Sequence, residues 1–178
     1  MTFLETERLL LAELPLKIAR QRLAQQRLGT PGFLAEVLLP AGPQAVTFPA
    51  AWPGDALGFF PGLLTRAAER SGQFILIRRH DLCALGLMGD KGGPDANGDL
   101  EIGYGLNPDA WNQGYASEAL RALLPHWYAQ SGVSRVTAQT ATSNPASARV
   151  LEKCGFVVVG ESWDEEDGPL LVWATTPD

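Results

Sequence analysis

Apolar residues recur along this chain with two periods, and the change from one to the other marks out its elements. Short runs rich in Val, Ile, Leu and Phe predict strands over residues 8–14, 74–78, 82–88, 99–106, 135–141, 156–160 and 170–175. Elsewhere the period lengthens to that of a helix. Pro15 opens a helical stretch reaching about residue 28, with Ile18, Leu23 and Leu28 as core positions. Asp55 fits an N-cap, and a helix to about residue 70 follows, stopped by Ser71-Gly72. Residues 113–131 place Ala116, Leu120, Leu123, Leu124 and Trp127 at helical spacing. Pro125 removes one backbone hydrogen bond from that pattern, so the helix either kinks there or ends and restarts. Ser143-Asn144-Pro145 starts the last helix, with proline in its tolerated first position, and Gly155 stops it after Cys154.

Residues 29–55 break both periods. Pro31, Pro40, Gly42, Pro43, Pro49, Pro53 and Gly54 predict an irregular region with at most short helices. Phe33, Phe48, Trp52, Phe59 and Phe60 fall in or beside it. They either line a pocket or cap the core under a long loop.

Two stretches carry chemistry. Trp111-Asn112-Gln113-Gly114-Tyr115-Ala116-Ser117 stands where a strand gives way to a helix. The first N–H groups of a helix lack partners and its dipole is positive there, so such a turn can hold an anionic phosphate. Small residues at Gly114, Ala116 and Ser117 let a ligand approach the main chain. One βα unit downstream, Asn144, Ser147, Arg149, Gly155 and Phe156 mark the second stretch. Alone, the first stretch reads as an ordinary helix start with nothing bound, and Asn144 has the other reading of an ordinary N-cap.

Together the two stretches resemble the acetyl-coenzyme A binding core of the GNAT acetyltransferase superfamily. Thr6-Glu7-Arg8-Leu9-Leu10-Leu11 and Gly98-Asp99-Leu100-Glu101-Ile102-Gly103-Tyr104 are similar to strands of its ribosomal-protein N-terminal acetyltransferase branch, the RimJ/RimL-like group. The resemblance is strongest over residues 82–161. It implies one N-acetyltransferase domain over residues 1–178 of α+β class, a three-layer α/β arrangement. The implied central sheet is mixed and mostly antiparallel, of six or seven strands, with helices on both faces and a splayed cofactor cleft. It implies acetyl-coenzyme A as cosubstrate and a primary amine as acceptor, either a small molecule or a protein N-terminus.

Residue by residue, the resemblance assigns the pyrophosphate to the backbone of Asn112, Gln113, Gly114, Tyr115, Ala116 and Ser117. Pantetheine would pair with Gly105, Leu106 and Asn107, which are otherwise ordinary sheet residues. Asn144 would bond the pantetheine or adenine side while also capping its helix. Glu101 stands where members that use a glutamate base place it, and a structural glutamate is the other reading. Burial raises a carboxyl group's proton affinity, which suits a base near neutral pH. Asp99 with a bridging water is a fallback. Ser147 would return a proton to the leaving thiolate, or would only pack beside the cofactor.

Two departures stand out. The family often has glycine where this chain has Asn112; asparagine tolerates left-handed backbone better than most residues. Many members carry a tyrosine seven residues after the asparagine, where Leu151 cannot donate a proton. These departures keep open a coenzyme A binding module with little or no activity, and an interaction protein on the same fold.

Charge and cysteines narrow the setting. A net charge of −6 argues against general affinity for nucleic acid or anionic membrane. It suits a cationic acceptor and equally serves solubility. The acidic run Asp164 to Asp167 could steer an ammonium or be a solvated loop. Cys83 and Cys154 form neither a metal spacing nor a disulfide framework and read as reduced core residues. Glu5, Glu7 and Arg8 interrupt any secretory apolar run, and no segment has the ~20 apolar residues of a membrane span, so a cytoplasmic monomer or homodimer without metal is expected.

Overall fold

A computed structural model of the protein describes residues 2–29, 31–66 and 71–177. The chain forms two compact units: Met1–Gly89 with Tyr104–Tyr115, and Asp90–Gly103 with Ala116–Asp178.

In the first unit the continuous apolar runs become its innermost strands. These are β2 (Leu9–Glu13), β5 (Gln73–Arg78) and β6 (Cys83–Asp90), paired antiparallel in the order β2-β5-β6. Five of the six β5 residues are buried, as expected of a strand covered on both faces. A short strand β1 (Phe3–Glu5), unforeseen in the sequence, pairs with β2. Helix α1 (Leu16–Leu28) starts after Pro15 and stops at Gly29 in the left-handed conformation. Ile18 is buried and Leu23 half-buried, but Leu28 is exposed; Ala19 and Arg22 complete the inward face.

The region expected to be irregular is instead a hairpin, β3 (Phe33–Leu39) and β4 (Gly42–Phe48). Both strands end in the same alternation of buried and exposed residues, which buries Val37, Leu39, Val46 and Phe48. Pro40 and Ala41 make the turn, and Pro43 sits at the start of β4. Pro40, Gly42 and Pro43 therefore mark the hairpin's tip, while Pro31, Pro49, Pro53 and Gly54 lie outside its strands.

The aromatic residues resolve in favour of core. Phe48, Trp52 and Phe60 are fully buried, and Phe33 stacks on Phe48 with ring centres 4.7 Å apart. Trp52 meets Phe48 edge-on at 4.7 Å and donates its indole N–H to the Gly86 carbonyl at 3.0 Å. Such aromatic pairs add about 0.5–1.5 kcal/mol beyond area burial. Asp55 does not cap a helix; it lies within a 3-10 turn, Gly54–Phe59, that leads into α2 (Phe60–Arg66). Residues 67–70 of the expected helix lie outside the described residues.

Strand β7 (Asp99–Leu106) passes through both units. In the second unit its first half pairs parallel with β8 (Arg135–Ala141), from Asp99↔Arg135 to Ile102↔Ala138. Antiparallel strands β10 (Gly168–Thr175) and β9 (Val157–Asp164) continue from β8. Helix α3 (Tyr115–Tyr128) keeps Pro125 inside it, exposed, without ending there. It buries Ala119, Leu120, Leu123 and Trp127. Helix α4 (Pro145–Glu152) buries Leu151, and Gly155 follows at φ 84°.

The fold is the expected mixed, mostly antiparallel α+β class. Its described residues form ten strands rather than six or seven, because β1 and the β3–β4 hairpin add to those read from the sequence.

Candidate active site

The phosphate-loop candidate is exposed from Trp111 to Gly114. Asn112 adopts φ 58° and Gly114 φ 82°. The left-handed conformation that asparagine was expected to tolerate is therefore the one it takes. A non-glycine residue there costs on the order of 1–2 kcal/mol and persists where its neighbours hold it. Both neighbours are held. The Trp111 indole N–H donates to the Leu106 carbonyl at 2.9 Å, and the Gln113 side-chain amide donates to the Asp109 carbonyl at 2.6 Å. Arg8 donates to the Gln113 carbonyl at 2.9 Å, and its guanidinium lies over the Tyr115 ring, 4.5 Å from the centroid. Tyr115 and Ser117 are buried while Ala116 is half-buried, so the exposed part of the loop is Asn112 to Gly114.

The end of β7 is tightly backed. A Cβ on Gly105 would stand 2.6 Å from the Ala56 nitrogen, and one on Gly54 would collide with the Leu106 carbonyl. Only bare backbone fits there. Asn107 is 4% exposed. Its N–H donates to Leu85 at 2.7 Å, its carbonyl accepts from Ala110 at 2.9 Å, and its side-chain NH2 donates to Ala84 at 2.8 Å. Asn107 thus fastens β7 to β6, and its Oδ1 is a buried acceptor without a partner.

In the second unit, Asp99 and Glu101 share one face of β7 while Leu100 and Ile102 are buried on the other. Glu101 accepts from Lys91 Nζ at 2.7 Å and from the Gln139 amide at 3.4 Å; Gln139 accepts in turn from Ser162 at 2.8 Å. Asp99 is held by both prongs of Arg135, one at 2.7 Å. That two-pronged pair ties β7 to β8 at the Asp99↔Arg135 register position.

Asn144 caps α4: its Oδ1 accepts from the Ser147 N–H at 3.2 Å. Ser147 is half-buried on the first turn, and Leu151 fills the core. Cys83 and Cys154 are half-buried rather than core residues. Burial pushes both thiols up, which keeps them protonated near neutral pH. The acidic turn is built around Asp164, whose Oδ1 accepts the N–H groups of Glu166 at 2.8 Å and Asp167 at 3.0 Å. Those bonds hold its carboxyl below the usual range. Among the described residues no group of His, Cys, Asp or Glu could hold a metal ion, and no helix is long and apolar enough to cross a membrane.

Two contributors were missed in the sequence, Arg8 and Trp111 as tethers of the loop. Arg8 lies 105 residues from Gln113 along the chain, and no spacing rule connects them.

Comparison with known proteins agrees with this picture. Residues 43–157 match the family model of the GNAT acetyltransferase domain, and that match runs through both units. The chain belongs to this family of acetyl-coenzyme A dependent N-acetyltransferases. It is 31% identical over 113 residues to the uncharacterized N-acetyltransferase YjdG of Bacillus subtilis, covering 60% of this chain and 67% of that protein. It is 42% identical over 65 residues to the ribosomal-protein-serine acetyltransferase of Escherichia coli, covering 36% of each. The solved structure of RimL, a ribosomal L7/L12 alpha-N-protein acetyltransferase in complex with coenzyme A, superposes over 98% of both chains with a TM-score of 0.64 at 15% identity. The likeness to the RimJ/RimL-like branch therefore holds.

Proposed function

We propose that this chain acts as a single catalytic domain that transfers acetyl from acetyl-coenzyme A to a primary amine by direct attack in a ternary complex. The observation that carries this reading is the exposed loop Asn112-Gln113-Gly114 at a helix start, with Asn112 and Gly114 held in left-handed backbone. Its N–H groups, with those of Tyr115, Ala116 and Ser117, receive the pyrophosphate. The end of β7 at Gly105 and Leu106 receives pantetheine. Asn107, whose main chain is engaged by Leu85 and Ala110, holds that end in place. Asn144 contributes its side-chain NH2 while its oxygen caps α4.

The neutral amine attacks the thioester carbonyl, forming the C–N bond. Glu101 takes the proton that the nitrogen must lose. The C–S bond then breaks, and the Ser147 hydroxyl returns a proton to the thiolate. Glu101 is half-exposed, so solvent reaches its carboxylate beside the Lys91 and Gln139 contacts. Two unpaired cysteines suit a cytoplasmic setting.

The test is titration of the purified chain with acetyl-coenzyme A, repeated with Gly114→Trp, followed by a panel of amines read by thiol release. Saturable binding that Gly114→Trp abolishes, together with turnover of an amine, supports the reading. Binding without turnover of any amine identifies a coenzyme A binding module. No binding by the unmodified chain removes the roles given to the loop, Glu101 and Ser147.

A further inference from the structure

Arg8 has no place in the chemistry described so far, yet it is built into the loop. Its own backbone is fixed: the turn before β2 is closed by Thr6 N–H to Leu9 carbonyl at 2.9 Å and by Leu9 N–H to Thr6 Oγ1 at 3.0 Å. The Arg8 carbonyl accepts from Arg79 N–H at 3.0 Å, and Arg79 reaches back to the Thr6 carbonyl at 2.8 Å. A side chain leaving so stiff a turn loses little further freedom when its tip is bound. The tip is bound by the Gln113 carbonyl and by the face of Tyr115. Its other terminal nitrogen lies 3.5 Å from where a Gly114 Cβ would stand.

The Gln113 carbonyl and the Gly114 N–H belong to one peptide group. In a trans peptide these two point in opposite directions. Fixing the carbonyl toward Arg8 therefore aims the Gly114 N–H away from it, on the side of the loop opposite the guanidinium. A cation on the carbonyl also polarises the peptide and strengthens the N–H as a donor.

We propose that Arg8 is a positioning residue for the cosubstrate's phosphates: it orients and polarises the Gln113–Gly114 peptide so that the Gly114 N–H becomes a preset donor to the pyrophosphate. The inference rests on the phosphate role proposed for this loop. Arg8 acts through the peptide and not by touching the anion. The tyrosine ring beneath it fixes the plane of the fork, a duty that a lysine performs only in part.

The experiment compares the unmodified chain, Arg8→Gln and Arg8→Lys with two acetyl donors. Acetyl-coenzyme A carries the pyrophosphate; S-acetyl-pantetheine lacks it. Arg8→Gln is expected to weaken acetyl-coenzyme A binding about tenfold or more, the range of a lost charge-assisted hydrogen bond. Turnover with S-acetyl-pantetheine, compared as kcat/KM, is expected to stay within about threefold, since the missing donor has no phosphate to serve. Arg8→Lys is expected to fall between the two. Equal losses with both donors, or unchanged acetyl-coenzyme A affinity in Arg8→Gln, would overturn the proposal. Failure of the unmodified chain to bind acetyl-coenzyme A is a different result, which removes the phosphate role of the loop itself.

Discussion

Lys91 and Glu101 meet at 2.7 Å across the start of β7, and the same Glu101 oxygen also accepts from Gln139. The candidate base is therefore not a loose surface carboxylate but one end of a polar chain running from Lys91 to Ser162. Asp99, two residues earlier on the same face, is committed to Arg135 instead. Near-identical carboxylates on one strand face thus have different surroundings, and different consequences follow from removing them.

Glu101→Gln keeps the size of the side chain and its amide can still accept, but it cannot take a proton. We expect kcat to fall about a hundredfold or more, with acetyl-coenzyme A affinity changed less than about twofold. Asp99→Asn should do the opposite, lowering thermal stability through the broken Arg135 pair while sparing most of kcat. Steady-state kinetics beside melting curves separates them. Unchanged kcat in Glu101→Gln would remove the base role.

These assignments show where the sequence was legible. Strands β7 and β8 were placed to the residue because each alternates cleanly and is bounded by turn residues. Asn144 as a cap and Gly155 as a stop follow local rules that need no tertiary knowledge. The β3–β4 hairpin was hidden because Pro40, Gly42 and Pro43 crowd its tip, although Val37, Leu39, Val46 and Phe48 keep the alternation of a half-buried strand. The tether from Arg8 to Gln113 could not be read at all, since only folding brings them together.

Acid should weaken the fold through carboxylates held in their charged form. Hydrogen bonds from Arg78 hold Asp81 below the ordinary carboxylate range, and backbone N–H groups do the same for Asp164. With the folded value below the unfolded one, the unfolded chain binds more protons as pH falls. The stabilisation is present above about pH 4 and is lost as pH drops through the lowered folded values. Denaturant midpoints at pH 6 and pH 3 check this: Asp81→Asn should be less stable than the unmodified chain at pH 6 and should lose less on going to pH 3. A parallel fall in both proteins would contradict it.

Asn112 offers a test of the loop's backbone. With φ at 58°, Asn112→Gly removes the cost of a side chain in left-handed backbone, and Asn112→Val raises it by crowding a branched carbon against the main chain. Acetyl-coenzyme A affinity should be kept or improved in the glycine variant. In the valine variant it should drop about tenfold, the effect of roughly 1–2 kcal/mol of added strain. Calorimetric titration measures both, and equal affinities would mean that the turn's conformation does not govern binding.

Asn144 has two proposed duties that one pair of variants can separate. Its Oδ1 caps α4 through the Ser147 N–H, and its NH2 is the group assigned to the cosubstrate. Asn144→Ala removes both and should cost about 1 kcal/mol of stability as well as affinity. Asn144→Asp keeps an oxygen for the cap, and its charge favours the positive end of the helix, but it can no longer donate and repels an anion. It should melt at or above the temperature of the unmodified chain while binding acetyl-coenzyme A more weakly. If Asn144→Asp binds as tightly as the unmodified chain, the asparagine is a cap and nothing more, and the cosubstrate must be held at α4 by other groups.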